Sequence, residues 1–252
     1  MVLQSTPPYL VTQMTSSPHK VAIMQPYLFP YLGYFQLLAA VDSFVLYDDV
    51  QFIKGGWINR NRILVNGQPF LFAVPLDAPS PNRLICDIAL ITSLQWRIKL
   101  LQTIQQNYRR ASHFELAFGL VERILMNSEA RTIADLVRVS IVEIIKYLDL
   151  KVIFVPTSTH YHNQHLRGQE RVLDICRLEG ATEYVNAQGG RSLYDHETFA
   201  QNGLLLHFLQ PELRPYRQLS KGEFCSGLSI IDVLMNNSVT AVSEQLRNYQ
   251  LN

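Results

Sequence analysis

The sequence is poor in cysteine, in excess charge and in long apolar runs, and each shortage closes off a class of protein. Its three cysteines, Cys86, Cys176 and Cys225, lie far apart and never form a CxxC pair. That argues against a disulfide framework or a zinc ribbon and fits a reducing cytosol. Against 22 basic residues stand 21 acidic ones, a formal net charge of +1. No broad field gathers nucleic acid or a membrane surface, so any anion must be met by local clusters. No apolar run reaches the roughly 18 residues that span a bilayer, and the first twenty residues lack the basic start and apolar block of a signal peptide. Membrane insertion and nucleic-acid binding are therefore not expected, and a cytoplasmic location is. Neither an internal repeat nor a low-complexity linker is present.

What is there has a globular composition, 48% apolar and 17% charged over 252 residues, long enough to bury about three quarters of the unfolded surface. Residues 1–20, rich in Ser, Thr, Pro and Gln, read as a flexible leader, and residues 21–252 as a single domain. Val21 to Met24, followed by Gln25-Pro26, reads as a buried strand entering a loop. Pro26 and Pro30 keep the next turn from being helical. Tyr31 to Val41 then reads as a helix and Phe44 to Tyr47 as a strand. Ile63 to Val65, the turn Asn66-Gly67, and Phe70 to Val74 read as a β-hairpin that makes the sheet mixed. Apolar positions at three-and-four spacing predict helices at about Leu94 to Gln106, Phe114 to Met126 and Ile133 to Leu148, a helical insertion over about residues 94–148. A strand at Val152 to Val155, a helix at Gln169 to Leu178, strands at Glu183 to Val185 and Leu204 to Phe208, and helices at Ser229 to Met235 and Val239 to Gln245 follow. Ser226 or Ser229 caps the first of these last two helices.

The alternation predicts an α/β fold, a Rossmann-like, mostly parallel sheet with flanking helices, a β-hairpin and the helical insertion. Such sheets bind ligands at the carboxyl ends of their strands, where Gln25 and the Asp48-Asp49 pair fall. The segment from Gln25 to Arg62 is dense in polar and aromatic residues: Tyr27, Tyr31, Tyr34, Asp48, Asp49, Gln51, Lys54, Trp57, Asn59, Arg60, Asn61 and Arg62. A carboxylate directly after a buried strand must be paired or neutralised, and Lys54, Arg60 and Arg62 are the candidates near in sequence. The plainer reading has one aspartate capping a turn and the Asn-Arg-Asn-Arg run as a solvated loop. Trp57, behind glycines at 55 and 56, suits a stacking platform for a sugar or nucleobase.

The stretches QPYLFPYLGYF, DSFVLYDDVQFIKGGWINRNRI and SIIDVLMNN resemble the WbqC-like protein family, closely over the first third and more loosely from about Val21 to the end. The resemblance implies a bacterial cytoplasmic protein associated with surface polysaccharide of the O-antigen type, where nucleotide-linked amino sugars are made and decorated. The activity extrapolated from it is a transferase that moves an acyl or aminoacyl group onto the amine of such a nucleotide sugar. In that reading Asp48 or Asp49 acts as general base and Lys54, Arg60 or Arg62 holds a phosphate, while Trp57 and Tyr34 stack on the ring and Gln25 and Asn59 orient it. Replacing both aspartates with Asn is expected to abolish activity and spare stability. The layout is also similar to that of nucleotidyltransferases with a His-x-Gly-His motif at a helix start. Tyr31-Leu32-Gly33-Tyr34 occupies that place, Gly33 letting a helix N-terminus approach a phosphate but tyrosines standing where imidazoles would contact it. A nucleotidyltransferase-like enzyme or ATP-dependent ligase, and a non-catalytic protein that binds a nucleotide sugar or a partner, are the alternatives.

Three further features compete for roles. His160, His162 and His165 form an H-x-H-x-x-H cluster able to hold zinc or to supply a base; with no Cys or carboxylate nearby, catalysis by His160 or His162 is preferred to a metal site. Gln188-Gly189-Gly190-Arg191 either presents backbone amides and Arg191 to an anion or is a tight connection. Asp232, flanked by apolar residues, is expected to be buried and bonded, either structurally or with Ser229 as the floor of the site, with Tyr216 and Gln218 nearby. The sequence assigns no cofactor and sets no oligomeric state.

Overall fold

Apolar runs too short for helices build a central sheet in the computed structural model, which describes residues 18–252. The expected leader falls outside the described residues as far as residue 17, and Lys20 is already in a strand. In chain order the elements are β1 (Lys20–Met24), α1 (Leu32–Ala39), β2 (Ser43–Leu46), β3 (Arg60–Val65), β4 (Gln68–Ala73), α2 (Gln95–Tyr108), α3 (Phe114–Leu125), α4 (Ile133–Tyr147), β5 (Ile153–Val155), α5 (Gly168–Leu178), β6 (Glu183–Ala187), α6 (His196–Gln201), β7 (Leu205–Pro211), α7 (Ile230–Asn236), α8 (Val239–Gln245) and β8 (Tyr249–Leu251).

Six strands lie in the order β5-β2-β1-β6-β7-β8. The first five are parallel, and β8 runs antiparallel to β7. The chain therefore winds outward from β1 through β2 to β5, returns to the other side of β1, and winds outward again through β6 and β7. The order reverses between β1 and β6. The hairpin does not join this sheet: β3 and β4 pair only with each other, so the mixed character comes from β8. Asn66 and Gly67, with φ of 53° and 74°, make the two-residue turn that suits the twist of a hairpin.

Helices cover both faces of the parallel sheet, as its near-continuous apolar strands require. Alternation along β1 and β2 divides the core. Ala22, Phe44 and Leu46 face α1, α7 and the α2–α4 layer, while Val21, Ile23 and Val45 face Val172 and Ile175 of α5 and Phe199 of α6. Thr132 and Asp135 close a reciprocal capping box at the start of α4. Ser229, not Ser226, caps α7 by accepting from the Ile231 amide.

Candidate functional site

Where the strand order reverses, the carboxyl ends of β1 and β6 diverge and leave a cavity of about 740 Å³. Gln25 enters it from the end of β1, Asp49 and Gln51 from the loop after β2, Arg167 and Arg171 from the start of α5, and Asn186 from the end of β6. Gly189 and Gly190, in the 3-10 turn Gln188–Leu193, close one side.

The carboxylates after β2 are held by partners distant in sequence. Asp49 accepts from the Arg171 guanidinium at 2.6 Å, with both side chains 1% exposed, and from the Ser158 hydroxyl. Lys54, Arg60 and Arg62 are not its partners. Arg171 also donates to the Asn163 side chain at 2.9 Å and lies over the Tyr47 ring, 4.9 Å from its centroid. Asp48 accepts from the Thr157 hydroxyl at 2.8 Å and the Ser158 amide at 3.0 Å. Burial pushes its carboxyl above the usual range against those hydrogen bonds. Asp48 does not line the cavity, and both oxygens of Asp49 are engaged, so neither stands as a free general base.

Arg167 is the N-cap residue of α5 and makes no side-chain cap bond; its guanidinium donates to the Gln164 carbonyl at 2.8 Å, and Arg167, Gly168 and Gln169 line this end of the cavity, where the helix dipole is positive. Opposite, the Asn186 amide donates to the Tyr184 hydroxyl at 3.0 Å. A Cβ at Gly190 would come within 3.0 Å of that amide, so the glycine lets the 3-10 turn settle on Asn186. Arg167, Arg171 and Asn186 escaped the sequence reading, because nothing in the local sequence marks an arginine in a helix start or an asparagine in a strand as facing a cavity.

Of the remaining candidates only Gln25 lines the cavity. Gln25 is tied to α1 through its carbonyl, which accepts from the Tyr34 hydroxyl at 3.2 Å. Tyr34 is only 3% exposed, packed edge-on to Tyr27, and cannot stack on a ligand. The space over Gly33 holds the Tyr31 ring, 2.3 Å from where a Cβ would be, so no phosphate approaches there. Asn61 is buried and donates to the carbonyls of Leu28 and Phe29. Ser229 donates to the same Phe29 carbonyl at 2.8 Å. Together they hold Phe29 at a φ of 44°, which a non-glycine residue adopts only when its surroundings impose it. Asn59 donates to the Val74 carbonyl. Asp232 accepts from Tyr108, Tyr216 and Gln218, an anchor between α2, α7 and the segment before it. Ser229 and Asp232 thus brace the fold and do not floor the cavity. Lys54, Gln188, His160 and His162 are exposed and outside the cavity lining. Arg191 lies against Phe208, 5.8 Å from the ring centroid.

Tyr27, Tyr31, Trp57, Arg60 and Arg62 gather in a second place. The Tyr27 ring is 6.4 Å from Tyr31 and 6.0 Å from Trp57, and both guanidinium carbons sit within 6 Å of the Trp57 centroid. The single constellation read from the sequence is two.

Among the described residues no three His, Cys, Asp or Glu side chains converge as a metal site, and no helix is long and apolar enough to cross a membrane. The model of the WbqC-like protein family matches residues 25–244. An uncharacterized protein of Mycobacterium tuberculosis is 30% identical over 219 residues, covering 86% of this chain and 93% of that protein. No solved structure matches the chain.

Proposed function

The chain belongs to the WbqC-like protein family, and from that premise and the cavity between β1 and β6 we propose a transferase acting on a nucleotide-linked sugar in bacterial surface polysaccharide biosynthesis of the O-antigen type. The group moved in this reading is acyl or aminoacyl, and the acceptor is the amine of the sugar. The observation that supports it is the place and size of the cavity, about 740 Å³ at the strand-order reversal where open α/β sheets hold nucleotides.

The phosphates in this reading meet Arg167 and the uncapped start of α5. Gln25, Gln51 and Asn186 offer amides to the sugar, and the Asp49–Arg171 pair stiffens the floor. With Asp49 fully bonded and Asp48 shut away, the acceleration rests on holding an already activated donor against the free amine: the amide bond forms as the donor's bond to its leaving group breaks, and the amine's proton passes to that leaving group or to water, not to a carboxylate.

The test is a thermal-shift screen of the purified protein against nucleotide amino sugars, nucleoside triphosphates with magnesium, and acyl or aminoacyl donors. A specific ligand at a hundred times its Kd adds about 2.7 kcal/mol to stability. Stabilisation by a nucleotide amino sugar, lost in Asn186→Ala, followed by an acylated product in mass spectrometry, is the expected result. Stabilisation by triphosphate alone, with pyrophosphate release, would replace the proposal with a nucleotidyltransferase-like or ligase reading, against which the Tyr31 ring over Gly33 already counts. The engaged carboxylates favour one second reading, a protein that binds the sugar nucleotide without turning it over. Binding with no product when donor and acceptor are both present would establish that reading.

A further inference from the structure

The second cluster holds two guanidinium groups and no carboxylate. Arg60 and Arg62 are alternate residues of β3 and leave the strand on the same face, opposite the buried Asn61. Their guanidinium carbons lie 5.4 and 5.7 Å from the Trp57 ring centroid. No carboxylate among the described residues is within ion-pair distance of either arginine. The Nε of each is closed off from solvent with no hydrogen-bond partner, and Arg62 reaches only the Gly227 carbonyl, at 3.5 Å. The Tyr27 ring lies 6.4 Å from Tyr31 and 6.0 Å from Trp57, and burial pushes its phenol upward, with Tyr31 adding to the shift and Arg62 opposing it, so Tyr27 keeps its proton at neutral pH.

Two guanidinium groups drawn to one ring repel each other, and no carboxylate among the described residues offsets the charge of either. The group that answers both conditions is an oxyanion, whose geometry the guanidinium fork matches. Trp57 is 43% exposed, and its open ring offers a surface for the rest of such a ligand.

We propose that Tyr27, Tyr31, Trp57, Arg60 and Arg62 form a binding site for an oxyanion, carboxylate or phosphate, carried on a body that lies against Trp57. None of the five lines the cavity between β1 and β6, so the site stands whether or not that cavity takes a nucleotide sugar.

The chain has two tryptophans, and a Trp96→Phe background leaves Trp57 to report alone. Its fluorescence is titrated at low salt with phenyl phosphate, with benzoate, and with phenol as the uncharged control. A saturable change with at least one anion and none with phenol is expected, weakening as sodium chloride is raised. The anion that binds identifies the source, a phosphate ester or a carboxylic acid. Arg60→Gln and Arg62→Gln each weaken binding by at least about tenfold without loss of the folding transition, and Arg62→Lys falls between. Calorimetric titration of the protein with both tryptophans gives the same comparison should Trp96→Phe not fold. Failure of both anions to saturate, or unchanged affinity in both Gln variants, overturns the site. So does loss of the signal in Asn186→Ala, since that would place the probe in the cavity.

Discussion

The guanidinium of Arg171 and the carboxylate of Asp49 meet at 2.6 Å across 122 residues of sequence. The pair ties the loop after β2 to the first half of α5 and forms the floor of the cavity. A buried ion pair adds little over apolar residues of similar volume, but removing one partner strands a charge away from water.

Arg171→Met should therefore destabilise the fold by about 3–5 kcal/mol in urea unfolding. Asp49→Asn should act in the same direction, reversing the expectation that Asn at this position is harmless to stability. The double variant Arg171→Met/Asp49→Leu should recover most of the loss. Single variants within about 1 kcal/mol of the unmodified protein would mean that the charges are not held as described.

Burial pushes the carboxyl of Asp232 above its ordinary value of 3.8, opposed by bonds from Tyr216, Tyr108 and Gln218. The folded state therefore binds this proton more tightly than the unfolded chain does. Its contribution is fully present below pH 3.8 and is lost as pH rises through the higher folded value. The stability advantage of the unmodified protein over Asp232→Asn should shrink as pH is raised from about 3.5. An advantage that is flat or grows as pH rises would be evidence against the shift.

Gly67 has a φ of 74°, and a Cβ there would lie 2.6 Å from Lys221 Cγ and 3.0 Å from the Lys221 nitrogen. Gly67→Ala meets both a left-handed backbone and a collision, and should cost about 1–3 kcal/mol. Thermal unfolding checks this, with Gly189→Ala, whose Cβ meets nothing within 4 Å, as the comparison. Equal melting temperatures for the two variants would sink the argument.

At Gly190 the obstacle is the Asn186 side chain, at 3.0–3.3 Å from an added Cβ. Gly190→Ala should leave most of the stability and displace the 3-10 turn or the amide, reducing any ligand-induced thermal shift. A full shift in this variant would show that Asn186 does not set the cavity wall.

The parallel sheet was legible because its strands are short apolar runs bounded by Pro, Gly and charge, and the three-and-four spacing of α2–α4 is strong. β8 was missed: Tyr249–Leu251 has three residues, too few to show a period, and it exists only because β7 offers an edge. The hairpin was placed at its turn but assigned to the wrong sheet, since pairing partners are a tertiary matter. In the site, proximity along the chain misled. Lys54, Arg60 and Arg62 lie near Asp49 in sequence, yet the carboxylate is matched by an arginine that only the β5–α5 crossover brings in. Asn59, Asn61 and Ser229 read as ligand contacts because an amide or hydroxyl that satisfies backbone carbonyls has the same residue type as one that meets a substrate.

The place of β1 in the sheet governs how the molecule can be assembled. His19, just before β1, donates to Thr182, 163 residues away, and β1 pairs with β6 next to that bond. On the ribosome, the first strand can zip to β2 soon after both emerge, but its second edge waits for most of the remaining chain. A nascent chain that has reached the end of α4 already carries Gln25 and Asp49, yet neither Arg171 nor Asn186, and so has no cavity. A ligand for that cavity would thus distinguish chains that have passed Tyr194, the last residue of its lining, from every shorter intermediate, and would draw that stage of folding toward completion by binding only its product.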